Sequence, residues 1–287
     1  MIHGNFSHQP PGRQDNRSVQ RAVFEYRENG KDVVSLYFEE YRDITMIEQE
    51  IIKRFLSLRN SEEAKHLARF FKTGEGEYGY GDRFLGIRVP ATRRIVKEYK
   101  DAVNIDTCIS LIKSEWHEIR LAGFLLLIEL YRKARKQKNS MAARHIVGVY
   151  IEHIPYGNNW DLVDLVCQYI LGDWLTDHPQ ERKLLDTFAD DKQSLWHQRV
   201  AIVSTLSLIR AGEYADTIRI AKKFLSHSHD LIHKATGWML REMGKRGGHS
   251  ELISFLDEFA TEMPRTALRY SIERFPENLR QYYLKKK

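Results

Sequence analysis

Four stretches of this chain share one layout, and their spacing limits the fold more than any other feature. "WHEIRLAGFLLLIEL" starts at Trp116, "WDLVDLVCQYILGDWL" at Trp160, "WHQRVAIVSTLSLI" at Trp196 and "LIHKATGWMLREMG" at Leu231. Each is a densely apolar helical pattern carrying a polar residue near its start. The polar positions Arg120, Asp164, Arg199 and Lys234 are separated by 44, 35 and 35 residues. A period of roughly 35–45 residues with two helices per unit marks a HEAT-type repeat. One such unit cannot bury its apolar face alone, so units stack. The spacing therefore predicts an all-α, HEAT-like α-solenoid of stacked helical pairs, whose inner helices line a concave basic groove.

Other signals agree from Met46 onward. "MIEQEIIKRFLSL" places Ile47, Ile51 and Phe55 four apart, on one helical face. Ser61 opens a further helix with Glu62 and Glu63 in its first turn, where carboxylates suit the helix dipole. Asp106 is the expected N-cap before "TCISLIK", and "DHPQ" and "RGGHS" read as breakers. The first 45 residues differ. Asn29-Gly30 sits between two β-prone runs in "FEYRENGKDVVSLYF", a hairpin signal. The expected organisation is an N-terminal extension over 1–45, a short hairpin or a disordered segment, followed by one repeat domain over 46–287.

Composition narrows the setting. The 287 residues are 42% apolar and 29% charged, as in globular proteins. The longest strongly apolar run, "LAGFLLLIEL", is too short to span a bilayer. The first twenty residues lack the apolar core of a signal peptide, so a cytoplasmic protein is expected. Cys108 and Cys167 lie inside apolar helical patterns and read as buried, reduced thiols. The net charge of +6 suits a partner that carries phosphates.

The odd residues fall on the inner helices. Trp160 and Asp164 are one turn apart on one face of their helix, and Trp238 follows Lys234 by four. Arg199 and Arg241 belong to the same set. Two aromatics and a carboxylate would converge on a wall studded with arginines. On the residues alone, Asp164 could equally pair with a basic residue of the next repeat, and the tryptophans could be core. Trp116, Trp174 and Trp196 read as packing residues.

"RFLGIRVPATRR", "NNWDLVDLV", "LWHQRVAIV" and "KATGWMLRE", in that order, resemble the AlkD-like family of DNA alkylation-repair glycosylases over roughly residues 46–287. The resemblance implies a HEAT-like enzyme that hydrolyses the N-glycosidic bond of purines alkylated at N3 or N7. It implies Asp164 as the catalytic carboxylate, Trp160 and Trp238 as the tryptophans flanking the lesion, and Arg199 as a DNA contact. Arg241, Lys234 and Arg120 are further candidates for DNA binding. Where some members carry a tyrosine, this chain has Phe70. The implied partner is double-stranded DNA with alkylated purines, bound by a monomer, with no cofactor, no metal and no membrane.

The chemistry fits those residue types. An N3- or N7-alkylated purine is cationic and already a good leaving group, so no general acid is required. Positive charge develops on the deoxyribose, where a carboxylate stabilises it and can orient water. Indole faces attract cations by about 0.5–2 kcal/mol each. No lysine stands in the motif as an amine nucleophile, so a monofunctional glycosylase is expected. The competing class is a non-catalytic HEAT-repeat module binding nucleic acid or protein. A carboxylate facing an anionic backbone would cost such a scaffold affinity. Two further patterns are set aside. "GEGEYGYGD" lacks the Gly-Lys-Ser/Thr of a phosphate loop and reads as a mobile loop at one end of the array. His227, His229 and His233 lack the further ligands of a metal site.

Overall fold

The computed structural model describes residues 46–286. The expected hairpin over 1–45 lies outside the described residues. From residue 46 the chain is a succession of helices that pack on their neighbours in chain order. Helix α1 covers 46–57 and buries Ile51 and Phe55. It is followed by α2 (Ser61–Phe70), α3 (Val89–Tyr99), α4 (Ile105–Ile112), α5 (His117–Lys136) and α6 (Ser140–His153). Next come α7 (Trp160–Asp164), α8 (Asp173–Asp177), α9 (Lys183–Asp190), α10 (Leu195–Arg210) and α11 (Ala215–Lys223). The series closes with α12 (Asp230–Lys245), α13 (His249–Phe259), α14 (Arg265–Ser271) and α15 (Glu277–Lys285). The fold is all-α among the described residues, and no helix there is long and apolar enough to cross a membrane.

Helix α2 opens at Ser61 with Glu62 and Glu63 in its first turn, as read from the sequence, and Asn60 caps it; the Asn60 Oδ1 accepts from the amides of Glu62 and Glu63 at 3.1 Å. One cap differs from the sequence reading by two residues. Asn104 caps α4, and Asp106 falls in the first turn instead. In both cases the asparagine is the residue with extended φ/ψ, as a cap requires.

Helices α5 and α10 hold the core. Every residue from His117 to Ile128 is buried, because α5 is enclosed by α3, α4 and α6. Helix α10 is enclosed in the same way by α9, α11 and α12. This burial on all sides explains why these stretches read as continuous apolar runs rather than stripes.

"WDLVDLVCQYILGDWL" does not form one helix. It makes α7, a turn, a π-helical segment over Gln168–Gly172, and α8. The Gly172 backbone is pressed against α10: a Cβ there would stand 2.4 Å from the Ser204 carbonyl oxygen. The wider π turn lets the chain follow that surface, at the cost of regular hydrogen bonds upstream. The Asp164 carbonyl accepts from the Gln168 side-chain amide at 2.7 Å. Asp164 is thereby the last residue of a single free-standing turn.

Candidate functional site

The site begins at that turn. Asn159 is fully buried and accepts from the Trp160 amide at 2.9 Å, starting α7. Trp160 projects from the first residue and Asp164 from the last. Both line a cleft of about 730 Å³, together with Trp238 from α12 and Phe70 and Phe71 from α2 and its end. That volume lies within the range of small-molecule sites, about 300–1,000 Å³.

Asp164 and Arg199 form a two-pronged pair. Arg199 Nε donates to Oδ1 at 2.8 Å and Nη2 to Oδ2 at 2.7 Å. Arg199 Nη1 donates to the Leu231 carbonyl at 2.5 Å, so the guanidinium ties α7, α10 and α12 together. Burial raises the Asp164 carboxyl above its ordinary range, and Arg199 opposes that rise. Pairing with a basic residue of the next repeat and lining the cleft therefore both hold for Asp164. A carboxylate has about four lone-pair directions, and the fork uses two.

Phe71 packs on Trp160 with ring centres 5.3 Å apart, and Phe70 meets it edge-on at 6.1 Å. Phe70 is 58% exposed, a large apolar surface at the mouth of the cleft. Tyr78 was not anticipated from the sequence. It stands edge-on to Trp196 at 6.2 Å and to His229 at 6.4 Å. Burial raises its phenol, while the Trp160 indole, Lys234 and Arg199 oppose the rise. Tyr78 belongs to "GEGEYGYGD", the stretch expected to be a mobile loop at the end of the array. That loop is folded onto the site. A Cβ on Gly79 would stand 2.5 Å from the Phe71 carbonyl oxygen, so glycine permits the close approach. Trp196, expected in the core, is half-buried and faces Tyr78. Trp174 is buried and stacks on His178, as a packing residue should.

The loop ends in a buried charged cluster. Asp82 accepts from Arg120 Nη2 at 2.5 Å and lies 2.7 Å from His117 Nδ1. His117 Nε2 lies 3.0 Å from Asp161 Oδ2, and Arg120 also donates to Asn158 Oδ1 at 3.0 Å. Burial alone would lower the His117 imidazole, but Asp161 and Asp82 overcome it and push it up to about 9. His117, with Arg120, holds the Asp82 carboxyl below its ordinary value against the effect of burial.

Two of the expected DNA contacts lie inside the protein. Arg199 and Arg120 are only 5% and 6% exposed, and both guanidiniums are engaged with carboxylates and carbonyls inside the protein. The helical register placed them on inner helices; tertiary packing turned them inward. Lys234 remains half-exposed beside Asp230 at 2.7 Å, and Arg241 pairs with Glu273. The three histidines mostly serve the backbone. The amides of His229 and Leu231 donate to the Nδ1 atoms of His227 and His229, and His233 Nε2 lies 2.5 Å from the His227 carbonyl.

A second depression adjoins the cleft through Leu165, which lines both. Arg93, Lys97 and Lys100 approach it from α3, and Arg132 from α5. The guanidiniums of Arg132 and Arg210 lie 5.1 and 5.9 Å from the centre of the Tyr169 ring. Arg132 pairs with Glu129; among the described residues no ion pair engages Arg93, Lys97, Lys100 or Arg210. Basic side chains free of carboxylate partners thus gather beside the cleft, at positions the motif reading passed over.

Comparison with known proteins adds three findings. Residues 51–275 match the family model described as DNA alkylation repair enzyme. A solved structure described as a predicted DNA alkylation repair enzyme from Enterococcus faecalis shares the fold at a TM-score of 0.60 and 18% identity, covering 76% of this chain and 97% of that one. A search of curated proteins returns no significant match.

Proposed function

The chain belongs to the DNA alkylation repair enzyme family, and from that premise we propose that it is a monofunctional DNA glycosylase. Its substrate is duplex DNA carrying cationic N3- or N7-alkylated purines, and its reaction is hydrolysis of the N-glycosidic bond. The observation that carries this reading is the meeting of Trp160, Asp164 and Trp238 in one cleft. The set contains one carboxylate and two indoles, which favour positive charge.

Asp164 faces the deoxyribose as the bond to the base breaks. Its free lone pairs stabilise the positive charge on the sugar and orient the attacking water. Arg199 is reassigned from phosphate contact to holding that carboxylate ionised and aimed. Burial favours the neutral acid, which would be inert here; the guanidinium opposes it. Trp160 and Trp238 supply cation-attracting faces for the alkylated base. The leaving base departs as a neutral purine, so no acid is needed. The backbone is carried by the depression beyond Leu165, where Arg93, Lys97, Lys100, Arg132 and Arg210 offer phosphate contacts. A cytoplasmic monomer suffices, since every proposed group lies on one chain.

The test is release of base from duplexes holding one N7-methylguanine, with spontaneous depurination subtracted. Release by the wild type and its loss in Asp164→Asn support the reading. Equal release from a uracil or hypoxanthine duplex would overturn it, because neutral bases need an acid.

A further inference from the structure

His117 is fully buried beneath the cleft and has no role in the chemistry just described. Both its ring nitrogens face carboxylate oxygens, Nδ1 toward Asp82 at 2.7 Å and Nε2 toward Asp161 at 3.0 Å. A neutral imidazole has a single N–H. Its other nitrogen would then turn a lone pair on a carboxylate inside the protein. Only the imidazolium donates to both. The charge count agrees: Asp82 and Asp161 are balanced by Arg120 and a protonated His117. The other carboxylates near this ring have partners of their own. Glu118 also lines the cleft, and its carboxylate accepts from the amides of Leu85, Gly86 and Ile87 at 2.9–3.0 Å. Asp164 is matched by Arg199.

The ring also touches the cleft wall. Phe71 packs against His117 with centres 5.2 Å apart and against Trp160 at 5.3 Å. Asp161 follows Trp160 directly, and its Oδ1 accepts from the Leu162 amide at 2.9 Å. One side chain thus holds the first turn of α7 through Asp161 and backs the Trp160 indole through Phe71. We propose that His117, as a doubly donating imidazolium, is a positioning residue that sets Trp160 and α7 in place for base release. This rests on the glycosylase reading only for its effect on rate. The imidazole is pushed up to about 9, so the clamp is complete at neutral pH and opens as pH rises through that value.

Two measurements on the full chain test it. The first follows the histidine carbon-bound protons by NMR from pH 6 to 10, with His117→Gln for assignment, alongside the Trp160 emission obtained as wild type minus Trp160→Phe. The His117 signal is expected to titrate near 9, with the Trp160 emission changing in step. In Asp161→Asn the midpoint should fall, since a raising carboxylate is gone. A midpoint below 7, or a Trp160 signal that ignores it, overturns the proposal. The second measures single-turnover release of N7-methylguanine over the same range. The wild-type rate should decline through about pH 9, and His117→Gln should be slowed about 10²-fold, the scale of an ångström misplacement, with no alkaline limb. Undamaged-duplex affinity should be nearly unchanged. A variant as fast as the wild type overturns the positioning role. A wild type that releases no base at any pH, yet keeps the linked His117 and Trp160 titration, overturns the glycosylase reading instead and supports the clamp.

Discussion

The cleft and the depression beside it use the same kinds of side chain for opposite ends. At the cleft, Arg199 and Arg120 are buried and held by Asp164 and Asp82. Beyond Leu165, Arg93, Lys97 and Lys100 gather with no carboxylate partner among the described residues. A buried guanidinium is a positioning element, because desolvation makes any loss of its partner costly. A cation left free to meet solvent is available to an incoming phosphate. The role of an arginine in this molecule follows from its surroundings, not from the motif it stands in.

The comparison is broken most severely at Asp164. Asp164→Asn should reduce base release by about 10²–10³-fold, the scale for one preorganised electrostatic group. It should also destabilise the fold by about 3–5 kcal/mol, because Arg199 is left charged and buried. Adding Arg199→Gln should restore much of the melting temperature and none of the activity. If stability and activity recover together, Asp164 is a structural partner and nothing more.

Trp160→Ala and Trp238→Ala come next. Each removes a cation-attracting face of about 0.5–2 kcal/mol. Release of N7-methylguanine should fall by about two- to thirty-fold on that scale, while affinity for undamaged duplex holds. Equal losses in both assays would make these indoles general DNA contacts.

The depression should answer a salt titration. For Lys97→Ala and Arg93→Ala, the slope of log affinity against log salt should flatten by about 0.9 per lost phosphate contact. Arg120→Gln should lower the melting temperature and leave the slope alone. An unchanged slope in the first two variants would remove the depression from the DNA path.

The smallest effect is a shift in the acid limb. Burial raises the Asp164 carboxyl above its ordinary value, and in the proposed mechanism only the ionised form supports release. Activity should therefore fail, as pH drops, at a higher pH than an exposed aspartate would give. Arg199→Gln should move that limb higher still. The stability sign is opposite: a carboxyl raised by folding favours the fold at low pH and loses that contribution as pH rises through its folded value. A limb in the variant at or below the wild-type one would show that Arg199 does not hold the carboxylate ionised.

The all-α class was legible in the chain itself; Trp160, Asp164 and Trp238 were named together by a family resemblance, and they line one cleft. Helical periodicity and a repeat length are local properties, and they survive without knowledge of the partners. The cap at Asn104 was missed by two positions, because neighbouring polar residues compete and only φ/ψ decides. The break after Asp164 was hidden, since the π segment answers to the Ser204 carbonyl on another helix. Tyr78 and His117 were hidden for the same reason. Tyr78 reaches Trp196, His229 and the surroundings of Trp160 across many residues of chain. Both ring nitrogens of His117 face carboxylates, Asp82 and Asp161, each more than thirty residues away. Whether a cation on these helices meets solvent or a carboxylate depends on how the helices pack. Sequence alone determined which helices carry the polar residues; tertiary packing decided which of those residues are left to face solvent, because desolvation, not residue type, makes a charge a strut or a contact.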